Sequence, residues 1–331
     1  MASLADTLRW GLLGTAHINR RLIPAMRAAR RSSVAAVASR DAARAASYAA
    51  EWNIPVAHGG YDVLLRDPSV DAIYIPLPNA LHVEWTLRAL DAGKHVLCEK
   101  PLAASAEDVD RVAAVSRARQ RVAAEAFMFR HEPMMARILE LIAANGVGEI
   151  KTIAAGFTFA QSRDHDVRLD KTLGGGSLWD LGCYAVDIAR LVAGAPAVEA
   201  FGYANDGPSG VDETFTGLLR FATGVVATIQ SGFRTPYRMW LDVGGTDGTL
   251  RCTSPFRPGP RDEIEWTRGG ETRRVAVEGS TLLFVRMVED FVAAALDGGT
   301  PAVSLADSRA NAAALAALAR SAATGLPVQL S

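Results

Sequence analysis

Cysteine is scarce in this chain of 331 residues: only Cys98, Cys183 and Cys252 occur, and no two of them make a C-x-x-C pair. That scarcity excludes a disulfide framework and a thiolate metal site, and it suits a reducing compartment. An excess of either charge is also lacking. The formal net charge is −1, from 35 basic and 36 acidic residues, whereas nucleic acid or an anionic membrane calls for a clear basic surplus. No apolar run reaches the ~18 residues of a membrane span. The first residues, with an acid at Asp6, hold no apolar core of signal-peptide length. His17, His58 and His95 do not stand at metal-ligand spacing, so no metal is expected. What the chain has in quantity is apolar: 49% hydrophobic against 21% charged residues, as in an ordinary globular protein. At roughly 150 residues per domain, the length implies two domains. The expectation is a two-domain cytoplasmic protein with no nucleic-acid or membrane partner.

The first third alternates short β-like runs with helical patterns. Trp10 to Leu13 reads as a buried strand, after which Ile18, Leu22, Ala25 and Ala29 recur at helical spacing. Val34 to Ala38 is a second strand, followed by an alanine-rich helix over 41–52. Ala72 to Ile75 and His95 to Cys98 are two more, separated by a helix over 81–92 that Gly93 ends. A further helix spans 105–119. Strands alternating with helices imply a doubly wound parallel sheet. After about residue 149 the pattern changes. Runs at 150–160, 198–203, 214–221, 225–233, 239–243 and 263–267 read as strands with few helices between them, and Ala222-Thr223-Gly224 reads as a hairpin turn. These predict a largely antiparallel second domain. Helical patterns return over 281–296 and 305–323. The boundaries expected are 1–124 and 125–331, with a helix at about 304–323 packing back on the first domain.

Four segments carry candidate chemistry. Gly14-Thr15-Ala16-His17-Ile18-Asn19 follows the first strand and opens a helix. A dinucleotide turn needs glycine for the bend and a small residue where backbone meets pyrophosphate, and Gly14 and Ala16 meet those needs. Asn19 stands where glycine or alanine is commoner, and the letters alone also suit a plain strand-to-helix turn. The second strand ends in Ser39-Arg40, where an acid would bind the ribose hydroxyls of NAD. A hydroxyl and a guanidinium suit a 2′-phosphate instead, so NADP is favoured over NAD. The strand at 95–98 runs into Glu99-Lys100-Pro101, which places Lys100 at the carboxyl end of a parallel strand, where such sheets bind ligands. Finally, Gly174-Gly175-Gly176-Ser177 leads into a helix on which Asp180, Tyr184 and Asp187 fall at i, i+4 and i+7. Leu181, Ala185, Ile188 and Val192 form an apolar stripe on another face. The polar stripe either does chemistry or faces water or a second subunit. A phenol near an ammonium ionises more readily, so Tyr184 with Lys100 would exchange a proton with a carbonyl/alcohol pair, Asp180 holding a substrate hydroxyl.

With Pro76-Leu77-Pro78-Asn79-Ala80-Leu81-His82 added, these segments resemble the glucose–fructose oxidoreductase/inositol dehydrogenase/rhizopine-catabolism (Gfo/Idh/MocA) family along nearly the whole chain. The resemblance implies a Rossmann domain followed by an open-faced, largely antiparallel sheet. It gives Lys100 of the E-K-P motif a contact with cofactor and substrate. In the family's D-x-G-x-H/Y motif, Asp180 takes the aspartate's place and Tyr184 that of the acid/base. Pro76, Leu77, Asn79, His82 and Glu99 would lie at the cofactor, and Phe127, Arg163 and Arg168 would line the substrate pocket, together with the loop that includes His165 and Asp166. Tyrosine rather than histidine resembles the branch of glucose–fructose oxidoreductase, dimeric dihydrodiol dehydrogenase, NADP-linked xylose dehydrogenases and sugar-nucleotide ketoreductases.

The implied activity is NADP(H)-dependent hydride transfer on a hydroxyl or carbonyl carbon of a sugar, an aldose or pyranoside, by a homodimer or homotetramer joined through the C-terminal sheet. Two alternatives stand beside it: a ketoreductase of a nucleotide-linked keto sugar, with Arg163, Arg168, Arg234 and Arg238 available for a diphosphate, and a non-catalytic cofactor-binding regulator.

Overall fold

The computed structural model describes residues 6–162 and 166–330, so Arg163 and His165 of the expected pocket lie outside the described residues. The chain divides into two compact units. The first takes in the chain up to Ala103, Glu107–His131 and Leu282–Ser308; the second takes in Ala104–Ala106, Glu132–Thr281 and the chain from Arg309 on.

In the first unit, six strands alternate with five helices: β1 (Leu8–Leu13), α1 (Asn19–Ala28), β2 (Ser32–Ala38), α2 (Ala42–Glu51), β3 (Val56–His58), α3 (Tyr61–Leu65), β4 (Ala72–Ile75), α4 (His82–Asp91), β5 (His95–Cys98), α5 (Ala106–Arg119) and β6 (Ala123–Glu125). Their order in the sheet is β3-β2-β1-β4-β5-β6, and every pair is parallel. All four residues of β4 are buried, as strands covered on both faces must be. This is the doubly wound Rossmann sheet that the alternation implied, and its order reverses between β1 and β4. Asp41 caps α2 by accepting from the Ala43 and Arg44 amides, at 2.8 and 3.2 Å.

The second unit begins with α6 (Pro133–Ala143), which buries Met134, Met135, Ile138 and Leu141. Its strands and central helix follow: β7 (Ile150–Thr158), α7 (Cys183–Ala193), β8 (Ala197–Asp206), β9 (Asp212–Phe221), β10 (Val226–Gly232), β11 (Arg238–Gly245), β12 (Gly248–Cys252), β13 (Arg261–Arg268) and β14 (Glu271–Glu278). The chain then forms α8 (Val285–Asp297), α9 (Leu305–Thr324) and β15 (Val328–Gln329). Nine strands lie in the order β14-β13-β12-β11-β7-β10-β9-β8-β15. The sheet is antiparallel except between β7 and β10, which run parallel. The β9–β10 hairpin turns at Ala222-Thr223-Gly224, with Gly224 at φ +87°.

The helix that joins the first unit is α8, not the one at 304–323. Its Phe291 stacks on Trp10 of β1 at 5.1 Å, and Glu289 and Asp297 pair with Arg30 and Arg31 at 3.0 and 2.9 Å. From Arg309 on, α9 belongs to the second unit, where Asn311 donates to the Cys183 carbonyl at 3.3 Å and Ser321 accepts from the Gly202 amide at 3.1 Å. An apolar helix face states that it will be covered, but not by which sheet. On β9, Phe215, Leu219 and Phe221 point inward and are buried, while Thr216, Leu218 and Arg220 point outward and are exposed, the period-2 signature of a sheet covered on one face.

Candidate active site

The first unit gathers its candidate residues at the carboxyl ends of β1, β2, β4 and β5. After β1, Gly14 adopts φ +116°, and a Cβ there would stand 3.3 Å from Leu77 and 3.6 Å from the Tyr61 hydroxyl. Glycine is required there by conformation. Thr15, Ala16 and Ile18 are half-buried and His17 is exposed. Asn19 is fully buried, and its amide nitrogen donates to the Gly14 carbonyl at 2.9 Å. The residue that departs from the usual small one thus fastens the turn from within.

After β2, Ser39 is buried and its hydroxyl accepts from the Asp41 amide at 3.2 Å, while Arg40 is exposed and has no ion pair among the described residues. After β4, Pro76 is buried and Leu77 and Asn79 are half-buried. His82 is fully buried between two carbonyls, Pro101 at 2.7 Å from Nδ1 and Leu77 at 2.8 Å from Nε2. Burial depresses its pKa and holds the ring neutral. A neutral ring donates to only one of these two carbonyls at a time, so His82 ties one loop by a hydrogen bond and packs against the other. After β5, Tyr74 donates its hydroxyl to Glu99 at 2.5 Å, and Lys100 is half-buried. Phe127 lies 1% exposed against Phe129, edge to face at 5.9 Å.

In the second unit the glycine run ends in a π-helical turn, Leu178–Gly182, that continues into α7. The polar stripe does not face water: Tyr184 is 5% exposed, Asp187 1% and Asp180 half-buried. Asp187 pairs with Arg190 at 3.5 Å. Arg168 donates Nε to Asp180 at 2.7 Å and Nη1 to Asp166 at 3.1 Å. The charge of Asp180, then that of Asp166, raises the guanidinium above its ordinary range despite burial. The Tyr184 ring is fixed by Phe157 at 5.7 Å and Phe256 at 5.4 Å, and Phe157 also meets Tyr237 at 5.8 Å.

Sequence reasoning missed what anchors this turn. Asp212, at the start of β9, accepts from the Ser177 hydroxyl at 2.7 Å and the Leu178 amide at 2.8 Å, and Ser177 also bonds Ser231 at 3.0 Å. Asp212 is 35 residues from Ser177, and no local pattern ties them. Burial, joined by the like charge of Asp206, pushes the Asp212 carboxyl up to about 6 from 3.8. A carboxyl whose pKa is raised by folding adds stability below about pH 4, which is lost as the pH rises through about 6. The loss is on the order of 3 kcal/mol at most. Asp212→Asn, neutral at every pH, is therefore expected to gain in melting temperature relative to the wild type as the pH rises from about 4 to about 6, and to keep that gain above it. A difference that stays constant with pH would remove Asp212 as the titrating group.

Comparison with known proteins places this geometry. Residues 8–127 match the model of the oxidoreductase family with an NAD-binding Rossmann fold, and residues 135–251 match the GFO/IDH/MocA C-terminal domain. The chain belongs to the GFO/IDH/MocA oxidoreductase family. A D-xylose 1-dehydrogenase (NADP(+)) of Haloferax volcanii is 39% identical over 326 residues, covering 98% of this chain and 100% of that protein. A dTDP-3,4-didehydro-2,6-dideoxy-alpha-D-glucose 3-reductase of Streptomyces violaceoruber is 39% identical over 254 residues, 76% of this chain and 74% of that one. Among solved structures, a 3-ketoreductase from Actinomadura kijaniata in complex with NADP and TDP-benzene superposes with a TM-score of 0.90 at 31% identity, covering 96% of this chain and 98% of that one. For this GFO/IDH/MocA member the fold class read from the sequence holds in both units.

Proposed function

We propose that the chain is an NADP(H)-dependent oxidoreductase that moves a hydride between nicotinamide and a hydroxyl or carbonyl carbon of a sugar, an aldose or pyranoside. The observation that carries this reading is the buried polar face of the π-turn and α7: a phenol at Tyr184, and Asp180 held by Arg168 at 2.7 Å, on a segment that is mostly apolar. Such groups are costly to bury without a task. Full-length similarity to the xylose dehydrogenase supports the aldose.

The first unit fits a dinucleotide. The Gly14 turn leads into α1 at the point where the strand order reverses, and the end of β2 carries Ser39 and Arg40 where NAD enzymes carry an acid. Gly14, Thr15, Ala16, His17 and Ile18 would hold the pyrophosphate, Ser39 and Arg40 the 2′-phosphate. Pro76, Leu77, Asn79 and Glu99 would line the remainder, with His82 bracing them. Bound nicotinamide supplies or takes the hydride. Tyr184 gives a proton to the carbonyl oxygen in reduction and takes it from the hydroxyl in oxidation. We assign to Lys100 the positive charge that favours the ionised phenol, and to Asp180, oriented by Arg168, the hydrogen bond from a substrate hydroxyl. Phe127 and Arg168 serve as pocket wall.

Similarity to the dTDP-sugar reductase supports a second reading, reduction of a nucleotide-linked keto sugar. Of the arginines it would use, Arg163 lies outside the described residues, and the other three already have partners within the second unit. Arg234 is paired with Glu213, Arg238 stacks over Trp240 at 4.4 Å, and Arg168 is taken by its two aspartates. The deciding experiment follows absorbance at the nicotinamide band with NADP+ or NAD+ and a panel of aldoses, beside reduction of a dTDP-linked keto sugar. We expect aldose oxidation with NADP+ preferred, and a loss of that preference in Arg40→Ala. Turnover of the nucleotide sugar alone would select the second reading, and no turnover of either would reject both.

We further infer a homodimer or homotetramer joined through the outward face of the second sheet, where Tyr203, Leu218 and Val226 are exposed; a monomeric mass in light scattering would refute it. A cytoplasmic location suits three buried cysteines that form no disulfide, and among the described residues no helix is long and apolar enough to cross a membrane.

A further inference from the structure

We infer that the Tyr61 hydroxyl is a further cofactor-binding group, donating a hydrogen bond to the adenosine-diphosphate half of the dinucleotide; this rests on the NADP-dependent reading above. Tyr61 opens α3, and its oxygen lies 3.6 Å from where a Gly14 Cβ would stand, beside Leu77 at 3.3 Å from the same point. Gly14 ends β1 and Leu77 follows β4, the two strands between which the sheet order reverses. Ligands of open α/β sheets bind outside the strand carboxyl ends at that reversal. The phenol oxygen therefore stands at that crevice, against the glycine turn and beside the space that a Gly14 side chain would fill.

The ring is braced from behind. Trp85 of α4 meets it edge to face at 5.0 Å. Arg88 lies 4.1 Å over the Trp85 ring and is itself tied to Glu84 at 3.2 Å and to Asp62. The Trp85 ring, with the Arg88 network behind it, thus fixes the ring while leaving its oxygen toward the turn. Among the described residues the half-buried Tyr61 hydroxyl has no hydrogen-bond partner, whereas Tyr74 of the same unit donates to Glu99. A phenol with a fixed ring and an uncommitted O–H suits an anionic oxygen, and such charge-assisted bonds are among the stronger ones. Packing alone would be served equally by phenylalanine.

The test is calorimetric binding to wild type and Tyr61→Phe of two ligands: NADP+ and 2′-phospho-ADP-ribose, which is the cofactor without its nicotinamide. The substitution removes one oxygen, so the melting temperature of the free protein is expected to hold. The dissociation constants of both ligands are expected to rise by about tenfold, in the same proportion. Unchanged constants, or weakening confined to NADP+, would overturn the assignment, the latter because it would move the contact to the nicotinamide end. Wild type that bound neither ligand would overturn the cofactor reading itself, which separates that failure from this one.

Discussion

Tyr184→Phe is expected to lower turnover by about 10² or more while the dissociation constant for NADP+ stays where it was. The substitution keeps the ring, so its contacts with Phe157 and Phe256 persist and the melting temperature should move little. Only the phenolic oxygen is lost. If that oxygen exchanges the proton, the barrier rises by the amount general acid–base catalysis supplies and the pH profile of turnover loses the limb due to the phenol. Substrate affinity changes less, because Asp180 and Arg168 are untouched. A variant within threefold of wild-type turnover would show that the proton is moved by another group. Asp180→Asn separates the roles: it should raise KM more than it lowers turnover, since Asp180 is assigned to hold the substrate and not the proton.

Much of the frame behind this expectation is legible in the sequence because it is written locally. The hairpin at Ala222-Thr223-Gly224 needs a positive φ and contains the residue that supplies it. The run into Glu99-Lys100 places a lysine past a buried strand, and alternation of strand and helix declares a parallel sheet. What stayed hidden was non-local or exposed. Strand β14, E-T-R-R-V-A-V-E, sits at the sheet edge with six of its eight residues exposed. Edge strands carry charge to discourage pairing with another chain, and that charge erases the alternation a reader looks for. The parallel β7–β10 pair joins strands far apart in the chain, and nothing in either announces its neighbour. Helix α6 buries positions 134, 138 and 141 at good helical spacing, but its opening Pro133 reads as a break unless it is recognised as a first-turn residue. At the site, the motif residues were legible and their supports were not. Asn19 looked like a defect in the turn until its bond to the Gly14 carbonyl was seen, and Asp212 has no motif at all.

That hidden support makes Gly176→Ala a substitution expected to harm both fold and site. Gly176 holds φ +121°, and a Cβ would stand 2.3 Å from Asp212 Oδ1. The conformation itself costs a residue with a side chain about 1–3 kcal/mol. The overlap cannot be relieved by swinging Asp212 away, because its other oxygen holds the Ser177 hydroxyl and the Leu178 amide. Displacing it would undo the cap of the segment that carries Asp180 and Tyr184, at about 1 kcal/mol more. A total of about 3 kcal/mol corresponds to a fall of roughly 6–12 °C in melting temperature for a unit of this size. Turnover should fall with it, since the Gly176 carbonyl accepts from the Asp180 amide at 3.1 Å and moves that residue when it shifts. A double-mutant cycle identifies the cause. Gly176→Ala combined with Asp212→Ala should be less unstable than the two losses added together, because the second change removes the atom that the first collides with. Simple additivity would mean that the strain lies in the backbone alone and that Asp212 and Gly176 act independently.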